Sequence, residues 1–213
     1  TLIFGAVGTL AAHDTQRMAG YCVILSSGTL LAALGMPGVI LTGPALYYMI
    51  SSVLGLGAFF MLLEMVNRAQ SFGSDFLAAS AEAFALTDDE DEDDSSDVVG
   101  RAIPAALVFL GMSFIACALI IIGLPPLSGF VAKFSLILAA LQASSYTPDP
   151  LNAWIFTATL LLAGFIGIIA LSRTGIRLFW SHNNISVPRL RPTEALPVTV
   201  LITICVWLSI QAG

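Results

Sequence analysis

Charge is what this sequence has least of. Only 10% of its 213 residues are Asp, Glu, Lys or Arg, against about 25% in an ordinary soluble domain. Lysine occurs once, at Lys133. The eight basic residues are spread over the whole length, so no patch is dense enough to grip phosphates, and a nucleic-acid partner is not expected. Cysteine is scarce too. Cys22, Cys117 and Cys205 lie in separate apolar segments without C-x-x-C spacing, which argues against a disulfide framework or a zinc site and leaves them as small packing residues. No G-x-x-x-x-G-K-[ST], no G-x-G-x-x-G and no His/Cys cluster occurs. Nucleotide hydrolysis, hydride transfer and metal catalysis therefore lack their parts, and neither a cofactor nor a metal is expected.

What is present is apolar. Hydrophobic residues make up 57% of the chain and the mean hydropathy is +0.92, values that suit a lipid environment rather than water. The net charge of −6 is a local matter, since the run 88–94 carries seven negative charges and the remainder is close to neutral. That run reads as a solvated loop.

Crossing about 30 Å of hydrocarbon takes about 20 residues of helix. Residues 18–36, 39–66, 103–141, 154–171 and 195–210 form apolar stretches of about that length or longer, and 1–12 reads as the tail of a sixth. Lipid offers no partners for backbone N–H and C=O groups, and the alternating pattern of a barrel is absent, so the segments must be helices. The expected fold is all-α, a polytopic membrane helix bundle of about six transmembrane segments, one of them discontinuous. Its organisation runs as transmembrane helices over 1–66, the first truncated; a polar acidic loop over 67–102 with an amphipathic helix suggested by Phe72, Phe76, Leu77 and Phe84; the discontinuous helix over 103–142; a helix over 152–173; an Arg-rich loop over 174–193; and a last helix over 194–213. The chain is apolar from Thr1, with no initiator Met or charged leader, and reads as part of a longer protein.

The segment 103–141 is too long for one plain crossing, and its middle holds Gly123, Pro125, Pro126 and Gly129. Pro125 and Pro126 cannot donate to the carbonyls of Ile121 and Ile122 four residues back, so the helix must break there. A single broken crossing puts the loops bearing Arg17, Arg68, Arg101, Arg173, Arg177, Arg189 and Arg191 on one side, as the bias of basic residues toward the cytoplasm prefers. Two crossings would divide them.

Irregular backbone at membrane depth is tolerated where it lines a watered cavity, and transporters place ion sites at such breaks. Lys133 follows the break by little more than a turn, with Ser128 expected to cap the second half-helix. Desolvation and the positive end of that half-helix both weigh against the ammonium, so the lysine is expected to give up its proton near neutral pH. The freed carbonyls of Ile121 and Ile122 offer acceptors for water or for the ammonium itself. A unit charge arriving about 7 Å away changes the balance by roughly 2 kcal/mol at an effective dielectric of about 20. The plain alternative is a lysine snorkelling to the interface near Gln142 and Ser144.

Other polar groups in or beside the spans carry weaker signals. Glu64 stands four residues before Arg68, the spacing of a helix-end ion pair, although it is also a candidate for the proton path. Asp14 suits an N-cap ahead of Arg17, with His13 beside it. His182 follows Phe179 and Trp180 and suits an interfacial belt. Tyr21, Ser26, Ser51 and Ser52 place hydroxyls within helices; such groups often only bond back to the preceding turn, but with Ser128 they could hold a chain of water.

The stretch ALIIIGLPPLSGFVAKFSLILAAL at 118–141 resembles the broken-helix signature of the proton-translocating membrane subunits shared by Mrp-type cation/proton antiporters and respiratory complex I. HDTQRMAGY at 13–21, ALYYM at 45–49 and RTGIRLFW at 173–180 look like the D-type subunits of Mrp antiporters, in matching order over nearly the whole chain. The resemblance implies a bundle of fourteen helices in two inverted repeats, of which this chain would supply helices nine to fourteen. It implies that Lys133 is the proton carrier of the second half-channel, and that the protein works without a cofactor, as a secondary transporter rather than an enzyme. The implied partners are the other subunits of a hetero-oligomeric antiporter, with monovalent cations (Na⁺ or K⁺) and protons as cargo, in the bacterial plasma membrane. An antiporter-like subunit of complex I or of a membrane-bound hydrogenase is the alternative, and an assembly subunit whose lysine merely pairs with a partner's carboxylate is a third. Gln16, Ser26 and Ser51 depart from the family, standing where relatives often carry basic or otherwise titratable groups, so a relay there would rest on hydroxyls and water.

Overall fold

The computed structural model describes residues 1–36, 41–85, 105–144, 151–180 and 192–211. The acidic run 88–94, Arg101, His182, Arg189 and Arg191 lie outside them, as do the side chains of Phe72, Phe76, Leu77 and Phe84. Among the described residues every element is a helix: α1 (Leu2–Ala11), α2 (Thr15–Leu34), α3 (Thr42–Ala85), α4 (Ala105–Ile122), α5 (Ser128–Ser144), α6 (Leu151–Trp180) and α7 (Pro192–Gln211). The Asp14 carboxylate accepts the N–H of Gln16 at 3.4 Å and opens α2 as its N-cap. Three helices, over Thr15–Leu34, Thr42–Arg68 and Leu151–Phe179, have the length and composition to cross a membrane unaided.

One helix joins two segments that the sequence suggests separately, and another runs further than the sequence suggests. α3 continues without interruption from its apolar part to Ala85, through the segment where Phe72, Phe76, Leu77 and Phe84 suggest an amphipathic helix, so that helix and the crossing are one element. α6 carries Arg173 and Arg177 within it and ends at Trp180, where composition predicts a loop from 174. Each stretch carries a single glycine, Gly73 and Gly175, and no proline, and composition alone marks where lipid ends, not where hydrogen bonding does.

Two apolar clusters mark the ends of the bundle. Met18 of α2, Leu62 and Val66 of α3, Leu110 and Phe114 of α4, Leu171 of α6 and Val198 of α7 meet at one end. Ala33 of α2, Ala45 and Tyr48 of α3, Leu136 and Ala140 of α5, and Phe156 of α6 meet at the other. α4 thus starts at the first end and α5 finishes at the second, so the two half-helices traverse the bundle once. They pack against each other far less than α1 and α2 do. Arg17, Arg68, Arg173 and Arg177 all belong to the first end. Facing outward are large apolar side chains such as Phe134, Leu161, Phe165 and Trp207, more than half exposed; on a protein in water such patches would be unusual, and toward lipid they are ordinary.

Candidate functional site

The site is built on the gap between α4 and α5. Gly123 ends α4 with φ +81, a left-handed turn that a residue without a Cβ makes freely. The N–H groups of Gly123 and Leu124 both donate to the Leu119 carbonyl, at 2.9 and 3.0 Å. Downstream stand Pro125 and Pro126, joined by a cis peptide bond, and neither has an N–H to offer Ile121 or Ile122. Those two carbonyls face inward. Gly129, in the first turn of α5, lies so close to the Ile120 carbonyl that a Cβ there would collide with it. The contact sets the start of α5 against the last turn of α4. α7 braces the far side of the gap, Ser209 Oγ donating to the Pro126 carbonyl at 2.7 Å.

Lys133 reaches back across this gap. Its Nζ donates to the Ile121 carbonyl at 3.0 Å and to the Ile122 carbonyl at 2.7 Å, so the ammonium occupies the place of the N–H groups the prolines lack. The side chain is 8% exposed and lies halfway between the two end clusters rather than turning toward Gln142 and Ser144. Among the described residues no carboxylate comes within ion-pair distance of it; the ion pair there is Arg68–Glu64, at 2.9 Å and half-exposed. An ammonium has three donors and two are taken. Lys133 also lines a cavity of about 10 Å³, roughly the room one water needs. Thr9 of α1, Cys22 of α2 and Gly164 and Gly167 of α6 help to line it.

A second cavity, also of about 10 Å³, lies beside the first and is lined by Ser26, Tyr48, Ser51 and Ser52. Ser51 Oγ donates to Ser128 Oγ at 2.9 Å, and both are buried. Ser128 is itself the first residue of α5 rather than the cap expected from the sequence, and its Oγ accepts from α3. Ser52 also bonds back to the Met49 carbonyl at 3.1 Å.

The structure brings Lys133, Ser26, Ser51, Ser52 and Ser128 together around Gly123, Pro125, Pro126 and Gly129, and leaves two sequence candidates apart. Glu64 sits at the arginine-bearing end with Arg68. Tyr21 packs its ring edge-on to Phe4, centroids 6.0 Å apart, and against Gly8, and lines neither cavity. Two residues that sequence reasoning passed over as site residues, Cys22 and Tyr48, line the cavities. Their spacing held a signal: Cys22 stands one turn before Ser26, and Tyr48 one turn before Ser51 and Ser52, so each pair shares a helix face. Among the described residues no three of His, Cys, Asp and Glu gather closely enough to hold a metal. An ammonium on two carbonyls, beside water-sized space and hydroxyls, can pass a proton and take one back.

The chain is similar to known proteins along its whole length. It is 44% identical over 216 residues, and over 100% of its own length, to the D subunit of a probable K⁺/H⁺ antiporter of Rhizobium meliloti (strain 1021). It is 25% identical, again over 100% of its length, to the D subunit of an Na⁺/H⁺ antiporter of Alkalihalophilus pseudofirmus. Over 78% of its length it is 27% identical to the N subunit of the NADH-quinone oxidoreductase of Desulforudis audaxviator. The chain spans 40% and 38% of the lengths of the two antiporter proteins and 27% of the length of the oxidoreductase protein. No protein-family profile matches it.

Proposed function

We propose, from the premise that this chain belongs to the family of antiporter D subunits, that it is the part of a multi-pass membrane protein through which protons move in exchange for a monovalent cation. Lys133 is the proton carrier. The observation that carries this is the buried ammonium held on the Ile121 and Ile122 carbonyls with water-sized space beside it. A merely structural cation in lipid would be met by a carboxylate, since an unpaired charge at that depth is expensive. Backbone carbonyls hold the ammonium without cancelling its charge, and they serve water equally well once the proton has left.

The remaining subunits of a hetero-oligomeric complex are the partners, and the bacterial plasma membrane is the setting. Of the relatives named, the one sharing 44% identity belongs by its name to a K⁺/H⁺ antiporter, which favours K⁺ over Na⁺ as the cargo. The end bearing Arg17, Arg68, Arg173 and Arg177 faces the cytoplasm. Similarity to part of a quinone oxidoreductase supports a second reading, a module of a redox-driven proton pump. The company of the purified complex separates the two, small antiporter subunits against iron–sulfur or quinone-binding ones.

The test is Lys133→Ala in the full-length protein, within the assembled complex in inverted membrane vesicles. Dissipation of a pH gradient on adding K⁺ or Na⁺ is expected to disappear while the complex still assembles. Exchange at the wild-type rate would leave Lys133 only an assembly role.

A further inference from the structure

The two cavities have separate contents and a common wall. Lys133 lies in one; Ser26, Tyr48, Ser51 and Ser52 line the other. Cys22, Leu25 and Ile121 border both. Each cavity has room for about one water, and the residues common to both bring two aliphatic side chains, a thiol and the Ile121 carbonyl that the ammonium already holds. A thiol is a weak donor and a weak acceptor, so the wall offers a proton almost nothing to travel on. Cys22 is 2% exposed and Leu25 7%. Ile121 is tied to the lysine directly, because its carbonyl accepts the ammonium at 3.0 Å.

From this geometry we propose that Cys22, Leu25 and Ile121 form a dry gate between the lysine and the hydroxyl-lined cavity, and that protons pass only when the three part to admit water. The inference deepens the reading of Lys133 as proton carrier and rests on it. A gate of this kind has a purpose that the lysine alone does not serve. An open water path between carrier and hydroxyls would let protons run down their gradient without any cation crossing in exchange, whereas a wall that must be wetted makes each transfer conditional on a change of structure. The Ile121 carbonyl supplies a means of coupling. When the lysine releases its proton its hold on the last turn of α4 weakens, because the neutral amine keeps two N–H groups but loses the charge that strengthens their bonds, and the wall residue on that turn is loosened with it. Cys22 and Leu25 are positioning residues here; they act on where water stands and exchange no proton themselves.

The test uses the assembled complex in proteoliposomes, with choline replacing the transported cation and an imposed pH gradient whose decay is followed. Cys22→Ser changes one atom and puts a full hydrogen-bonding group into the wall; Leu25→Ala shortens it. Both variants are expected to leak protons about five- to ten-fold faster than wild type, the worth of about one hydrogen bond offered to an incoming water. Adding Lys133→Ala to either variant should return the decay to its wild-type rate. Leu25→Ala removes packing and carries the greater risk to assembly, so Cys22→Ser decides alone should the other fail to form a complex. A Cys22→Ser complex that assembles and holds the gradient as long as wild type overturns the gate. So does a leak that persists unchanged with Lys133→Ala, since the protons would then bypass the lysine. Failure of the underlying reading looks different: cation-driven exchange would survive Lys133→Ala alone, whatever the leak of the gate variants.

Discussion

At the scale of single residues, the carrier role proposed for Lys133 rests on a lysine being able to shed its charge. Lys133→Arg keeps the cation and several donors for the Ile121 and Ile122 carbonyls, but a guanidinium does not release its proton in proteins. We expect that variant to assemble and to lose cation-driven exchange, as measured by gradient dissipation in vesicles; transport near the wild-type rate would remove the need for a titrating group there. Ser51→Ala tests the second cavity. It deletes a buried 2.9 Å hydrogen bond and leaves Ser128 without that partner, a loss of about 1 kcal/mol, to be read as a lower midpoint of thermal unfolding of the purified complex. The neighbourhood of Lys133 was legible in the sequence because two prolines identify by arithmetic which carbonyls go unpaired. Cys22 was not, because a cysteine in an apolar helix looks the same whether it fills space or separates two cavities.

At the scale of elements, the broken helix depends on two glycines for different reasons. Gly123 adopts a positive φ of 81°, which costs another residue about 1–2 kcal/mol, and a Cβ there would also press on the Lys133 side chain. Gly129 has no room at all, since its Cβ would meet the Ile120 backbone. Gly129→Ala must push α5 away from α4, and overpacking of this sort costs about 1–3 kcal/mol or more. Expected outcomes are a lower yield of assembled complex and slower exchange for Gly129→Ala, a milder loss for Gly123→Ala, and none for Gly57→Ala, where a Cβ would meet open space. Equal behaviour of all three in a thermal-shift and vesicle assay would argue against a close α4–α5 contact. That the chain breaks between Ile122 and Ser128 follows from local backbone chemistry. The continuity of α3 to Ala85 and the reach of α6 to Trp180 do not, because hydrogen bonding carries a helix past the point where its side chains stop being apolar.

At the scale of the whole molecule, the helices alternate in direction and place the arginines of the described residues, Arg17, Arg68, Arg173 and Arg177, at one end. This orientation is checked by labelling single introduced cysteines with a membrane-impermeant maleimide. Cys22, Cys117 and Cys205 are all buried and should stay silent in the background. His13→Cys, at the arginine-bearing end, is expected to react in inverted vesicles but not in intact cells; Leu151→Cys, at the start of α6 and two-thirds exposed, should show the reverse. The opposite pattern would turn the bundle over and exchange the sides on which the proposed proton path opens.

Local chemistry alone determined that this chain is a membrane bundle of helices, that one crossing is interrupted at Gly123–Leu–Pro–Pro, and that a solitary lysine follows the interruption. Each of these is a property of neighbours along the chain: hydropathy over a span, an N–H that proline lacks, a turn that glycine allows. Only the tertiary structure decided what meets across helices. It set Ser51 against Ser128, brought Thr9 of α1 and the α6 glycines to the space beside Lys133, and stood Cys22 and Leu25 between two cavities. Such contacts depend on how far each helix is rotated about its axis, and in lipid, where every outward face is equally apolar, hydropathy does not encode that rotation.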